Sequence, residues 1–595
     1  MPLETREVGR SVGTRKLFTK DALSCALLLA ICLLVIWPIA EIGINDDWSY
    51  LLTTQAFVVT HHFFYNGWST AMLGWQVLWG AFFARLIRPD FVGIRLSTIP
   101  IALATAVLYH AILRNFGLNR PHALLGTLTL VLSPLFLALS ATFMSDIPGL
   151  FVIFLCIYLC QRALAAQDDT HAALWLAAAA LTNIGLGTVR QVAWLGVLVI
   201  VPCCGWLLRR RRYIVPLTVI LWIVGGISAK LLVAWFFRHP YSIPLTLFPK
   251  EIDATTIAIL FRSSVQLVTT SLLFILPVLV TGVAKRWPPS RNRILRIVAV
   301  WLIFAMAYTF CKRMGRGDLP DFIWSGNIVT PFGIMQGPEL FNSVHRIPRN
   351  HLLALFIIVI LCTASFLRAI SRSRIAHTAA TEASGFSWRA VNVLLLPFLA
   401  CYLLLLFPLA LITIFDRYLL VIVAVLLVYS LRLHQERVSQ RIPAIATATL
   451  VAMAILGVAG THDLFAMARA EVRLTNELRQ AGVPRIEIRG GFDYDTVTQV
   501  YTAGYLNDPH LVNPPGAFHR QPLPHVYRDG VYCGDALLPY VPVLKARYAI
   551  SSDLRSPCFG PTTFAPQTYF TWLPPVRREL FIGSILPDDG HGPRP

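Results

Sequence analysis

A handful of charged residues have types and settings that suit them to chemistry. Asp46 and Asp47 stand side by side in Ile44-Asn-Asp-Asp-Trp-Ser-Tyr50, Asp146 lies in Ser145-Asp-Ile-Pro148, Arg190 precedes Gln191, and Asp416-Arg417-Tyr418 comes late in the chain. A carboxylate can take a proton from an attacking hydroxyl or amine, or offer oxygen ligands to a divalent cation. A guanidinium stays charged and grips phosphate with two parallel donors. Together they offer a proton acceptor and fixed positive charge. Lys312, Arg313 and Arg316 add positive charge in one long loop. His61-His62 invites a metal reading, but adjacent histidines on a helix point in different directions.

The elements that must position these residues are set by composition. Of 595 residues, 56% are hydrophobic and 14% charged, with a mean hydropathy of +0.62. An average soluble domain carries about 25% charged residues. This excess of apolar surface needs lipid as its solvent, and apolar runs of roughly 18 residues or more, long enough to span a bilayer, recur along the chain. The net charge of +20 sits in short clusters between those runs, such as Arg209–Arg212 and Arg432/Arg437/Arg441. The tendency of basic loops to stay in the cytoplasm accounts for them without a nucleic-acid partner.

With the basic N-terminus inside, the acidic stretch 41–70 is outside. Every strong basic cluster then falls inside if the stretch 71–87, which holds Gly74, Gln76, Gly80 and Arg85, does not cross but lies on the outer face. The expected spans are 22–40, 93–113, 122–140, 147–163, 172–188, 191–208, 213–235, 257–284, 294–311, 351–368, 390–414, 418–433 and 443–460. These define a mainly α, polytopic bundle of about 13 helices over residues 1–460, with a functional first outer loop 41–92. An odd number of spans puts residues 461–595 outside as well. That tail is rich in proline and charge. Residues 464–481 carry apolar residues at helical spacing, and Arg485–Arg489 and Tyr548–Ser551 read as short strands, so a small α/β domain is expected. Nine of the eleven cysteines lie in apolar segments; Cys533 and Cys558, in the tail, are free to pair if it faces an oxidising compartment.

On this topology Asp46/Asp47, Asp146, Arg190, the loop 312–350 and Asp416-Arg417-Tyr418 gather on one face. Charge at membrane depth is costly and points to function. Each residue also has a plain structural reading. Asp46-Asp47 can cap an outer helix, and Asp146 can cap the helix that follows it. Arg190 can snorkel, Asp416-Arg417 can form a local ion pair, and Lys312 and Arg313 can meet lipid headgroups.

The combination resembles the GT-C membrane glycosyltransferases, which include the protein O-mannosyltransferases, the lipid A aminoarabinose transferases and the bacterial RgtA/B/C/D-like group. Ile44–Tyr50 looks like their first-loop acidic motif. Val92-Gly-Ile-Arg-Leu-Ser97 is similar to their Arg-Leu-x-Ser helix start, Ser133-Pro134 with Ser145-Asp146-Ile-Pro148 to their second acidic motif, and Asp416-Arg417-Tyr418-Leu419-Leu420 to their late Arg-Tyr motif. Two positions depart from the pattern. Many members carry a Pro-Pro pair where this chain has Trp68-Ser-Thr-Ala-Met-Leu-Gly74, and mannosyltransferases usually have Glu where Asp47 stands.

The resemblance implies an inverting transfer of a sugar from a polyprenyl-phosphate donor to a glycan, lipid or protein acceptor. The site would lie at the outer face of the inner membrane, with the N-terminus cytoplasmic and the tail periplasmic. It implies Asp46 as the general base, aligned with the first acid of the motif. Asp47 comes second, either orienting a ligand or holding a cation. Asp146 shapes the acceptor or metal side, and Arg190 and Arg417 meet the donor phosphate. Tyr418, Asp416, Lys312 and Arg313 are secondary candidates. The resemblance fixes no cofactor and leaves metal dependence open; a divalent cation, on Asp47 and Asp146, is the one candidate. The competing class is a flippase or transporter of lipid-linked glycans, which needs ionisable residues in mid-helix. Here Lys230 and Arg262 are the exceptions in nearly charge-free interiors.

Overall fold

The computed structural model describes residues 16–243, 252–283, 308–309, 312–313, 323–335, 347–372, 385–506, 527–528, 531–532, 540–555 and 557–586. Among these, nine helices are long and apolar enough to cross a membrane, and a bent pair makes a tenth. The chain is a multi-pass membrane protein, mainly α, with a small sheet-bearing domain at its C-terminus. The span expected at 294–311 lies almost wholly outside the described residues.

Helix starts follow the local chemistry. Thr19, Asn119, Ser133, Asp168, Asp253 and Ser387 each place a side-chain oxygen on an otherwise unpaired N–H of the first turn. The stretch 122–140 is two helices, Arg120–Val131 and Pro134–Ser140, bent by 60°. Pro134 lacks the N–H that would continue the ladder, and the Ser133 hydroxyl caps the new start by accepting from Phe136 N at 3.2 Å. Residues 191–207 wind as 3-10, then π, then α-helix. The Asn183 amide intrudes there, donating to the Ala193 carbonyl at 3.1 Å and accepting from Val197 N at 2.8 Å.

Helix Gly74–Leu86 has 13 residues. At 1.5 Å per residue it is about 20 Å long, short of the roughly 30 Å hydrocarbon core. It lies across one end of the bundle, as the sequence suggests for 71–87. Trp75 N donates to the Thr188 hydroxyl, Gln76 Nε2 to the Phe143 carbonyl, and Trp79 Nε1 to the Ser97 carbonyl, so it bridges the ends of three other segments. The basic clusters occupy the opposite end. There Arg120 pairs with Asp21 at 2.8 Å, and Arg211 donates to the Asp168 carbonyl at 2.6 Å.

The last span runs unbroken from Ala444 to Gln480, 37 residues, so the boundary drawn at 460/461 falls inside one helix. The tail built on it has a sheet ordered Ile488–Arg489, Tyr548–Ser551, Pro575–Ile585 and Phe559–Gly560, with Gln567–Trp572 pairing along the outer half of Pro575–Ile585. The first pair is parallel and the others are antiparallel. Of the strand expected at 485–489, the first three residues form a 3-10 turn. Cys558 is disulfide-bonded; Cys533 lies outside the described residues.

Candidate active site

The first loop delivers Asp46 and Asp47 to opposite duties. Asp47, fully buried, starts helix Asp47–Thr60. It accepts from Ile44 N at 2.7 Å, Phe143 N at 3.2 Å and Arg95 Nε at 3.0 Å. Arg95, from the helix-start motif, is 1% exposed and also donates to the Ala40 and Ile42 carbonyls at 2.8 and 2.6 Å. Every Asp47 contact is thus a peptide N–H or Arg95, and the pair ties the first loop to two other elements. Burial pushes the Asp47 carboxyl up, against the pull of Arg95 and the two amides.

Asp46, one residue earlier, keeps its side chain 18% exposed. It occupies the N-cap position, yet its carboxylate makes no capping bond. Instead Oδ1 accepts from Trp68 Nε1 at 2.8 Å and Oδ2 from Arg417 Nη1 at 2.6 Å. Asp146 likewise does not cap. Ser145 holds the cap position, and the Asp146 carboxylate, nearly buried, pairs with Arg190 Nη1. The capping readings therefore explain neither carboxylate.

Asp416 and Arg417 do not form the isolated local pair either. Asp416 is buried and accepts from Ile328 N at 3.0 Å and Val329 N at 2.7 Å, fastening the long loop to the start of the late helix. Arg417, freed from that neighbour, reaches Asp46. Its Nε is buried and, among the described residues, meets no hydrogen-bond partner. The Tyr418 ring lies between the two arginines, 5.5 Å from the Arg417 guanidinium carbon and 5.0 Å from that of Arg190.

Two acid–arginine pairs from separate parts of the chain therefore meet around the Tyr418 ring, with the Tyr402 hydroxyl donating to the Tyr418 carbonyl at 2.8 Å and Tyr50 buried nearby. The Tyr50 phenol reports their proximity. Burial pushes it up most, and Asp46 and Asp146 act in the same sense while Arg417 and Arg190 oppose. Lys312 and Arg313 are exposed, and no contact joins them to the cluster. His61 faces Arg85 Nη2 at 3.4 Å. Among the described residues no three His, Cys, Asp or Glu side chains come together as a metal site.

Sequence reasoning gave no role to Arg95, Tyr50, Trp68 or Tyr402, although Arg95 and Tyr50 stand inside the quoted motifs. Arg95 carried a signal, being an arginine in an apolar stretch, where charge is costly without a partner. Trp68 stands within the departure from the Pro-Pro pattern. Tyr50 and Tyr402 carried no signal of their own.

Residues 85–242 match the family model of dolichyl-phosphate-mannose-protein mannosyltransferases. That segment contains Arg95, Asp146 and Arg190, and it covers about a quarter of the chain. No curated protein matches the sequence. Three solved structures are similar. One is the S. cerevisiae protein O-mannosyltransferase Pmt1–Pmt2 complex bound to the sugar donor, at 14% identity over 39% of this chain and 35% of that one, TM-score 0.31. This chain thus spans about a third of that protein's length. Another is the oligosaccharyltransferase AglB from Archaeoglobus fulgidus in complex with an inhibitory peptide and a dolichol-phosphate, at 12% identity over 90% and 69%, TM-score 0.40. The third is ArnT from Cupriavidus metallidurans bound to undecaprenyl phosphate, at 12% identity over 96% and 99%, TM-score 0.35.

Proposed function

We propose that this protein transfers a sugar from a polyprenyl-phosphate donor to an acceptor hydroxyl or amine at the outer face of the inner membrane. The observation that carries the reading is the convergence of Asp46–Arg417 and Asp146–Arg190 at one end of the bundle, on elements far apart in sequence. The matched family is named for a dolichyl-phosphate-mannose donor, a lipid phosphate sugar of the same chemical kind.

In this reading the donor's lipid lies among the helices and its phosphate meets Arg417 and Arg190. The acceptor oxygen or nitrogen attacks the anomeric carbon as the bond to the phosphate oxygen breaks. Polyprenyl phosphate leaves with the electron pair, the acceptor proton passes to Asp46, and a single displacement inverts the anomeric centre. Asp46 Oδ2 is held by Arg417 in the resting site, so phosphate competing for Arg417 is what frees that oxygen to accept the proton. Asp47 and Asp146 are each turned toward a guanidinium, and the reading routes no step through a cation. The acceptor is a glycan, lipid or protein.

The flippase alternative needs charge in mid-span. The four clustered charges lie instead at helix ends, which favours the enzyme.

The test uses protein purified in detergent with radiolabelled undecaprenyl phosphates carrying mannose, glucose, galactose or aminoarabinose, with and without acceptor. Sugar-dependent release of undecaprenyl phosphate, lost by orders of magnitude in Asp46→Asn, is the expected result. Release unaffected by that substitution moves the base to Asp47 or Asp146. Absence of turnover with every donor counts against the transferase and directs attention to flipping assays in liposomes.

A further inference from the structure

The tail domain packs directly on the first loop. Phe492 opens the tail helix Phe492–Ala503, and its ring centroid lies 5.4 Å from that of Trp68 and 6.3 Å from that of Trp48. Tyr540, also of the tail, meets Trp68 edge-on at 5.6 Å. Asp493 Oδ2 accepts from Asn45 N at 3.2 Å, on the residue before Asp46. A Cβ on Gly43 would come within 2.5 Å of Trp48 Cβ in the same loop and 3.3 Å of Asp493 Cβ in the tail, so the tail packs close against the loop backbone there. On the other side of Trp68, Leu506 N donates to the Asn66 carbonyl at 2.7 Å, and the Asn66 amide interlocks with Ser49.

Trp68 therefore stands between the tail and Asp46. Its ring is packed by Phe492, Tyr540 and Trp48, and its one polar atom is spent on the Asp46 carboxylate at 2.8 Å. A tryptophan N–H cannot accept, so it holds Asp46 Oδ1 without ever competing for the acceptor's proton. It also leaves Oδ2 as the oxygen that Arg417 masks. We propose that Trp68 is a positioning residue for Asp46, and that the tail domain completes the active site by fixing Trp68 through Phe492 and Tyr540. This rests on the reading of Asp46 as the base.

The experiment measures kcat and donor KM with the same undecaprenyl-phosphate sugars for four variants: Trp68→Phe, Trp68→His, Phe492→Leu and Asp46→Asn. Thermal unfolding is followed in parallel. Trp68→Phe keeps an aromatic ring and loses the donor. Its kcat is expected to fall about 10- to 100-fold, the scale of a misplaced reacting group, with donor KM changed less than about twofold. Trp68→His, whose ring N–H can reach a similar distance, should recover part of the loss. Phe492→Leu leaves the indole intact and loosens its packing, and should lower kcat in the same direction by less.

Wild-type kcat in Trp68→Phe beside an inactive Asp46→Asn overturns the positioning role and leaves the base standing. A fall in kcat matched by a rise in KM, with no recovery in Trp68→His, also overturns it, since general loosening explains both. Should Trp68→Phe fail to fold, unchanged kcat in Phe492→Leu overturns the proposal. Full activity in Asp46→Asn, or no turnover by the wild type, removes the base reading and this proposal with it.

Discussion

Arg417 Nη1 donates to Asp46 Oδ2 at 2.6 Å, across 371 positions of sequence. In the proposed reaction the guanidinium that holds Asp46 is also the one that meets the donor phosphate. Arg417→Ala should abolish turnover and weaken retention of undecaprenyl phosphate, whereas Asp46→Asn should abolish turnover and retain the lipid. Arg417→Lys keeps the charge but not the fork, and should lose on the order of 100-fold in kcat. Lipid co-purification and single-turnover rates separate the three variants.

Asp146 and Arg190 form the second pair, and Gly149, one turn along the Asp146 helix, lies beside the Arg190 side chain, where an added Cβ would make only an ordinary 3.9 Å contact. Substituting either residue should cost activity, and the double substitution Asp146→Asn/Arg190→Gln should cost less than the sum of the two. A coupling of about 0.5–3 kcal/mol in a double-mutant cycle on kcat/KM is the expected signature. Strict additivity would mean that the two act independently.

Asp47 and Arg95 should behave as structure rather than chemistry. Asp47→Asn or Arg95→Gln leaves a buried partner uncompensated, at a cost of about 3–5 kcal/mol, so unfolding in detergent should move to markedly lower temperature. Asp46→Asn should leave it nearly unchanged. A stable, fully folded and inactive Asp47→Asn protein would reverse the assignment of the two acids.

Gly74→Ala tests how Arg190 is aimed. A Cβ there would run into the Thr188 side chain, and Leu73 N already donates to the Val189 carbonyl at 3.1 Å. The outer helix and the Arg190 loop have no slack between them. The substitution should push the loop away and lower kcat about 10-fold or more, while Gly185→Ala, which meets nothing within 4 Å, should be silent.

Most of the spans were legible because lipid demands long apolar runs, though Lys20–Ile36 and Gln191–Leu207 are shorter than the spans expected there. The helix Gly74–Leu86 was legible because 71–87 is short and carries Gln76 and Arg85. The gathering of acids and arginines at one end followed from parity alone. What was not legible is who pairs with whom. Asp46-Asp47 and Asp416-Arg417 are each adjacent in sequence, and local reasoning gives each pair one shared role. In the fold each pair splits, with one member turned inward to fasten backbone and the other turned into the site. Periodicity cannot show that division, because it depends on Arg95 and the 328–329 amides arriving from elsewhere. The bend before Pro134 and the continuity of the last helix past 460 also depended on tertiary packing.

That last helix, Ala444–Gln480, has a mechanical consequence. At 1.5 Å per residue it is about 55 Å long, nearly twice the hydrocarbon thickness, so it carries the tail on a stiff mast rather than a tether. Its upper part is anchored to the sheet, since Asp463 accepts from Trp572 N and Leu573 N at 2.7 and 2.9 Å and the His462 ring stacks on Trp572 at 3.7 Å. The sheet is therefore fixed to the middle of this helix rather than hung from its end. Because Phe492 of the tail also packs on Trp68, a tilt of the mast would shift the sheet and the footing of Trp68 in a single motion.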